Sequence, residues 1–345
     1  MQYTRLGKSG LKVSSLCLGT MTLGTPAWMP WALDKDQSRP ILKRALDLGI
    51  NFIDCADWYS IGVGEEVVGK QVLEMARRED LVITTKAYYP MGNGPNDKGL
   101  SRKHIMESID ASLKRLGTDY VDIYMMHAWD PETPIEETLE ALNDVVRQGK
   151  ALYLGASTMW AWQFSKLIHT AKKNGWADFT VMQCQYNLVF REHEFEMLPL
   201  CEDEGVAVTP FSPLARGFLC GDRRRDGQQL TNRAQTDEYS QSYFNSEGDF
   251  LIVDRIAEIA AHRGVTRPQI AMAWVLQKNA ITAPLIGVDR AEQLDEAVGA
   301  LDIYLTDDEM AALESPYTRR QMIADHPAIC SRLSPKMMNK SLLQS

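Results

Sequence analysis

The chain of 345 residues is 45% hydrophobic and 24% charged, enough apolar material for one large core or two of medium size and too much for general disorder. Its 37 basic and 46 acidic residues leave a net charge of −9, which offers no positive field to a phosphate backbone or an anionic lipid surface, so nucleic acid is not an expected partner. No apolar run approaches the roughly 20 residues of a bilayer span, and the start MQYTRLGKSG lacks the apolar stretch of a signal peptide. The six cysteines (Cys17, Cys55, Cys184, Cys201, Cys220, Cys330) show no CxxC spacing. A cytoplasmic protein with reduced thiols, no membrane contact and no metal is the expectation; the oligomeric state is not encoded in any pattern of this kind.

Taken in chain order, QYTRLGKSGLKVS alternates around the turn formers Lys8, Ser9 and Gly10 and predicts a β-hairpin suited to plugging a barrel floor. Strand-like runs follow at LCLG (16–19), INFID (50–54), LVITT (81–85), VDIYMM (121–126), ALYLG (151–155), FTVMQ (179–183), VAVTP (206–210) and TAPLI (282–286). Amphipathic helical stretches alternate with these eight runs, the pattern of βα units around a parallel sheet. Between 101 and 116, Ile105, Ile109, Leu113 and Leu116 repeat on one helical face and put the charges outside. Thr133 with Glu136, and Thr266 with Gln269, have the spacing of capping boxes. Two helices, 250–263 and 268–278, precede the eighth strand, one more than a minimal barrel needs. From 217 to 249 the periodicity is lost, and a long loop of that kind is usually functional or mobile. Its run Arg223-Arg224-Arg225 reads either as a phosphate clamp or as a solvated face. No linker or repeat divides the chain, and the prediction is one (β/α)8 TIM barrel with an N-terminal β-hairpin and extra helices and loops.

Reactive groups in such barrels lie at the C-terminal ends of the strands. There Asp54 closes the second strand, Lys86 follows the third, His127 follows the fourth, and Tyr59 lies five residues beyond Asp54. Each alone has an ordinary structural explanation as a cap, a solvated charge or a packed ring, but four from three consecutive strands would converge on one rim. The set suits proton delivery to a carbonyl oxygen. A tyrosine, protonated at neutral pH, is expected to have its pKa lowered by the Lys86 ammonium; Asp54 keeps the lysine charged, and His127 orients the substrate oxygen. No side chain donates hydride, so a cofactor is required.

The segments around these residues resemble the aldo-keto reductase family. FIDCADWYSIGVGEEVVGK places Asp54, Ala56, Tyr59, Gly64, Glu66 and Gly69 at the family's signature spacing, and ITTK, DIYMMH, GAST, QCQYN, FSPLARG and IGVDRAEQLDE match its later blocks in order. The bacterial, open-loop members look closest. The resemblance covers residues 1–317 as a single domain and leaves 318–345 as a C-terminal tail that can contribute to the substrate pocket. It implies NADPH bound in an extended pose without a Rossmann fold, in agreement with the lack of GxGxxG after a strand. NADH is the less favoured alternative.

Carried over by position, Asp54, Tyr59, Lys86 and His127 are the catalytic tetrad. Ser157, Thr158 and Gln183 meet the nicotinamide carboxamide and Phe211 stacks on its ring, with Gly19, Thr20, Met21 and Asp54 close by. Ser212, Leu214, Arg216 and Gly217 meet the pyrophosphate; Gly287, Arg290, Gln293 and Glu296 meet the adenine and 2′-phosphate end. Thr158 stands where many relatives have Asn, and Asp289 adds a negative charge near the 2′-phosphate. Trp58, Trp129 and either Trp28 or Trp31 would wall an apolar substrate pocket above Tyr59 and His127. The implied activity is reduction of a small-molecule aldehyde or ketone; the alternatives are a cofactor-sensing subunit like the potassium-channel β-subunits and a Schiff-base aldolase using Lys86.

Overall fold

The computed structural model describes residues 1–320, so most of the expected C-terminal tail lies outside the described residues. The chain opens with β1 (Tyr3–Arg5) and β2 (Lys12–Ser14), an antiparallel pair in which Tyr3 faces Ser14 and Arg5 faces Lys12. Then β3 (Cys17–Gly19), α1 (Lys35–Asp47), β4 (Phe52–Asp54), α2 (Val63–Met75), β5 (Val82–Ala87), α3 (Arg102–Leu116), β6 (Val121–Met126) and α4 (Ile135–Arg147) alternate. The alternation continues through β7 (Ala151–Ser157), α5 (Ala161–Asn174), β8 (Phe179–Gln183), α6 (Met197–Glu204) and β9 (Ala207–Val208). After β9 come α7 (Asn232–Thr236), α8 (Glu238–Tyr243), α9 (Glu247–Arg263) and α10 (Arg267–Leu276), then β10 (Leu285–Ile286), α11 (Glu292–Gly299) and α12 (Asp307–Glu314).

Eight parallel strands run in the order β10-β3-β4-β5-β6-β7-β8-β9. The ends of that row meet: Thr282 N–H donates to the Val208 carbonyl and Leu285 N–H to that of Pro210, both at 2.8 Å, so the sheet closes on itself as a (β/α)8 barrel. All eight predicted strands are present. Their outward residues pack under the helices, with Ile105, Ile109, Leu113 and Leu116 of α3 all buried as their spacing predicts. The inward residues Cys17, Phe52, Val82, Ile123, Val181 and Ala207 form a second cluster, and Leu6 and Val13 of the hairpin enter it fully buried. The hairpin therefore stoppers the N-terminal end of the barrel.

Local signals were met unevenly. Thr266 begins α10 as a capping box, its N–H donating to Gln269 Oε1 at 3.0 Å. Thr133 does not cap α4: Pro134 occupies the N-cap, and the Thr133 hydroxyl instead donates to Asp130 Oδ2 at 2.8 Å. A proline at that place sets an extended entry, and the hydroxyl is drawn to a nearby carboxylate that also organises the turn. The aperiodic stretch after β9 is not structureless, since it folds into the short helices α7 and α8 with Thr231 and Asp237 as side-chain caps. Helices of five and six residues are too short to leave a hydrophobic period in the sequence.

Candidate active site

Strand register brings the reactive side chains together. Asp54 is the last residue of β4, opposite Gly19 on one side and Thr84 on the other, while Lys86 lies two positions further along β5 and His127 follows β6. Thr20 fixes the Asp54 backbone, donating from both N–H (3.0 Å) and hydroxyl (2.9 Å) to its carbonyl. Tyr59 opens a 3-10 turn, Tyr59–Gly62, in which Ser60 (φ 53°), Ile61 (φ 51°) and Gly62 (φ 88°) are left-handed in succession. A β-branched residue in that region is strained by about 1–2 kcal/mol, so the turn is held by its surroundings: Ser60 Oγ accepts from Thr25 N–H at 3.1 Å, and Gly24 leaves room because a Cβ there would come within 2.5 Å of the Ser60 side chain.

Lys86 is the hub. Its Nζ donates to Asp54 Oδ2 at 2.7 Å, to the Cys55 carbonyl at 2.8 Å and to Tyr59 Oη at 3.2 Å, and the side chain has no exposed surface. Burial opposes its charge, but Asp54 and Tyr59 outweigh that penalty and raise its pKa above the ordinary lysine value. An amine held so firmly protonated is a poor Schiff-base nucleophile, which disfavours the aldolase alternative. Tyr59 departs from expectation in sign. Burial pushes its pKa up to about 12; Lys86 pulls the other way, but Asp54 cancels much of that pull. His127 makes an edge-on contact with the Tyr59 ring at a centroid distance of 5.8 Å, and burial followed by the Lys86 charge drives its pKa well below the usual histidine range, so it is neutral at pH 7.

A cavity of about 890 Å³ opens above this cluster. Its lining takes in Asp54, Tyr59 and His127 together with Ser157, Thr158, Gln183, Phe211, Ser212, Leu214, Arg216, Gly217, Gly287, Arg290, Gln293 and Glu296. Gly19 and Met21 line it as well, whereas Thr20 stands behind the wall. Gln183 has a further link that sequence reasoning missed: its Nε2 donates to Asp54 Oδ1 at 2.8 Å, coupling this side chain to the Lys86 cluster. Thr158 is left-handed (φ 51°), a conformation that Asn tolerates and that strains a β-branched residue. Leu214 (φ −97°) is followed by left-handed Ala215 (φ 48°), Arg216 (φ 60°) and Gly217 (φ 101°), the kind of backbone reversal from which anion-binding nests are made.

Arg216 is not idle in this wall, for its Nε donates to Asp237 Oδ2 at 2.6 Å across the loop. The arginine run divides: Arg224 and Arg225 lie on the exposed face, as the solvated reading has it, and Arg223 turns inward. Arg223 is buried over the Phe218 ring and donates to the Ser240 carbonyl at 3.1 Å, while Arg225 pairs with Glu247 and Asp254 outside. At the far end Gln293 Oε1 accepts from the N–H groups of Asp289 and Arg290, and Arg290 Nε lies 3.8 Å from Asp289 Oδ1 with both side chains exposed.

The apolar end is an aromatic box. Trp31, Trp58 and Tyr89 line the cavity, with Trp58 and Tyr89 at 5.0 Å between centroids and Tyr89 at 4.8 Å from His127. Trp28 supports Trp58 edge-on from behind, at 5.1 Å, and is not among the lining residues. Trp129 is likewise outside the lining and packs on Trp162 at 5.9 Å. Beneath the tetrad, Glu65 rather than the signature-matched Glu66 is the buried acid, accepting from Thr85 Oγ1 at 2.5 Å and Arg115 Nε at 2.7 Å; Glu66 is exposed. Asp57 beside it is buried, with neither oxygen making a hydrogen bond among the described residues. Burial and then the Glu65 charge hold its carboxyl well above the usual carboxylate range. Among the described residues no group of His, Cys, Asp and Glu is arranged to hold a metal ion, and no helix is long and apolar enough to cross a membrane.

The chain is similar to known proteins along most of its length. The model of the Aldo/keto reductase family matches residues 15–317. Versiconal hemiacetal acetate reductase of Aspergillus parasiticus is 42% identical, covering 95% of this chain and 99% of its own. Aldo-keto reductases of Alternaria alternata (39% identical, 94% of this chain and 93% of its own) and Metarhizium robertsii (37%, 93% and 92%) are similar along nearly the same length. All three come from fungi, whereas the sequence blocks point to the bacterial members of the family.

Proposed function

Because the chain belongs to the aldo/keto reductase family, we propose that it is an NADPH-dependent reductase converting aldehydes or ketones to alcohols, with Tyr59 as proton donor. The observation that carries this reading is Lys86 Nζ within hydrogen-bond reach of both Asp54 and Tyr59, with all three side chains buried. The relatives named as reductases support the direction of the reaction. We read residues 1–317 as the one domain of a cytoplasmic enzyme acting on small-molecule carbonyl compounds.

The residues present fit a nicotinamide dinucleotide. The backbone reversal at Leu214–Gly217 suits the pyrophosphate, and Gly287 leaves open room, since a Cβ there would meet only the Gly19 carbonyl at 3.9 Å. Ser157, Thr158 and the oxygen of Gln183 would take the carboxamide, Phe211 the ring, and Arg290 the 2′-phosphate. Asp289 blunts Arg290, so NADH is used as a weaker substitute. When bound, the cofactor supplies the hydride that no side chain can.

The remaining steps belong to the chain. Tyr59 gives its hydroxyl proton to the substrate oxygen as negative charge develops there. A phenol held at about pH 12 remains loaded at neutral pH, and the Lys86 ammonium stabilises the phenolate once the proton has left. Asp54 keeps Lys86 charged and, through Gln183, keeps the carboxamide end aligned. Neutral His127 offers an N–H to the carbonyl oxygen without competing as an acid. The test is NADPH oxidation with short, aromatic and sugar aldehydes. Tyr59→Phe should lose roughly 10²–10⁴-fold in kcat while cofactor still quenches tryptophan fluorescence; undiminished turnover by that variant eliminates the mechanism.

A further inference from the structure

The residue that follows the proposed proton donor is one that its own backbone disfavours. Ser60 is left-handed (φ 53°) and has no exposed surface, a conformation that glycine adopts at no steric cost. Its hydroxyl is engaged on a different loop, where Oγ accepts from the Thr25 N–H at 3.1 Å. A strained conformation kept beside a reactive group points to a use for the side chain that causes the strain.

Thr25 begins the tip of the loop between β3 and α1. The base of that loop is stitched to itself, with Gly24 N–H donating to the Leu33 carbonyl and Leu33 N–H to that of Thr22, both at 2.7 Å. The tip, residues 25–32, has two hydrogen bonds to other elements among the described residues: Thr25 to Ser60, and Asn232 Nδ2 to the Pro30 carbonyl at 3.1 Å. Thr25 also organises the tip from within, since its carbonyl accepts from Trp28 N–H at 3.1 Å and its Oγ1 from Ala27 N–H at 3.3 Å. Trp28 and Trp31 share one apolar cluster with Trp58, Tyr59 and Tyr89, and Met29 and Ile61 pack against it. Met29, Trp31 and Tyr59 all line the cavity. One step of chain therefore separates the hydroxyl that holds the tip from the phenol that faces the cavity.

We infer that Ser60 is a positioning residue for substrate selection: its hydroxyl sets the gap between the Met29–Trp31 wall and Tyr59, and so favours bulky aromatic carbonyl compounds over short aldehydes. This rests on the carbonyl reductase reading above. A flat ring held against the wall presents its carbonyl oxygen to the phenol. If the wall drifts, a gap of about 0.5–1 Å forfeits roughly a quarter to a half of the dispersion attraction. A short aldehyde does not reach the tip and loses nothing. Tyr59 itself stays in place without the Ser60 hydroxyl, because Lys86 holds its Oη and its N–H donates to the Ala56 carbonyl at 3.2 Å.

The experiment uses Ser60→Gly and Ser60→Ala in the full-length protein. Both remove the acceptor; the first also removes the strain and the second keeps it. In NADPH-dependent turnover, both variants are expected to raise the KM for 2-naphthaldehyde about tenfold, with its kcat and the kcat/KM for propanal held within about twofold. Ser60→Gly should melt close to the parent, because relief of the left-handed turn offsets the lost hydrogen bond. A purely structural role would instead lower the melting temperature and depress both aldehydes together, and that outcome overturns the inference. An unchanged or lowered KM for 2-naphthaldehyde does the same. Amide hydrogen exchange of the ligand-free protein gives a readout without turnover: residues 25–32 should exchange about tenfold faster in both variants while β4 and β5 keep the parent rates. Unaltered exchange in the tip overturns the inference as well. A parent that reduces no aldehyde, with tip exchange still raised and calorimetric binding of 2-naphthalenemethanol still weakened in the variants, defeats the reductase reading and leaves the role of Ser60 standing.

Discussion

The strand-end rim and the loop after β9 face each other across one cavity, and they hold their charges by different means. At the rim, Asp54, Lys86 and His127 are fixed by backbone register, and Lys86 has three partners on strands and turns of the barrel itself. In the loop, Arg216, Arg233 and Asp237 are fixed mainly by one another, from a left-handed turn and two helices of five and six residues. Rigid placement suits a group that must meet a developing charge within a fraction of an ångström, and looser placement suits groups that must admit a large ligand. Substitutions in the first region should act on chemistry and folding, and those in the second on ligand exchange.

The strongest attack on that distinction is Asp54→Asn. It removes the counter-charge of a fully buried ammonium, and we expect a loss of about 3–5 kcal/mol in urea unfolding together with a fall in kcat. A variant as stable as the parent would mean that the rim is less rigid than its register implies. Asp237→Ala probes the other side: two enclosed guanidinium groups lose their shared carboxylate and repel. NADPH should dissociate about tenfold faster, a change near 1.4 kcal/mol, and trypsin should cut sooner at exposed Arg224, with little change in melting temperature. An equal loss of global stability would erase the contrast between the regions.

Asp57→Asn sharpens it within the rim. The folded-state pKa of Asp57 is raised, so the folded protein binds this proton more tightly than the unfolded chain, and the penalty is absent at low pH and grows as pH rises from the ordinary carboxylate range toward the folded value. The variant should therefore melt a few degrees higher at pH 7, with a smaller gain near pH 4; a melting temperature equally raised at both would point to packing instead of charge. The smallest effect is expected from Thr158→Asn, which relieves a left-handed β-branched residue and should stabilise by about 1 kcal/mol while modestly tightening cofactor binding in a fluorescence titration.

What the sequence disclosed follows the same division. Asp54, Lys86 and His127 were legible because strand period and the rule of C-terminal strand ends place them without knowledge of tertiary contacts. The partners Asp237 and Arg233 left no sign, since α7 and α8 are shorter than a hydrophobic period and their pairing joins residues across a folded loop. Trp31 and Trp28 sit three residues apart in one turn, and only packing determines which faces the cavity and which supports Trp58. The direction of the Tyr59 shift was also out of reach, because the pull of an ammonium is visible in a motif and the desolvation of a pocket is not. Glu65 and Glu66 are adjacent acids, and only the packing of α2 decides that the first is buried and the second exposed.

The hairpin stopper has a kinetic consequence. Leu6 and Val13 fill the barrel axis from below, so among the described residues Tyr59 opens toward the cavity and not toward that end. On the proposed chemistry each turnover strips a proton from Tyr59, and its replacement has to arrive through the mouth by which alcohol leaves. Reloading the acid is thereby made to wait for product departure, and the enzyme is spared a second proton donor that could act out of turn.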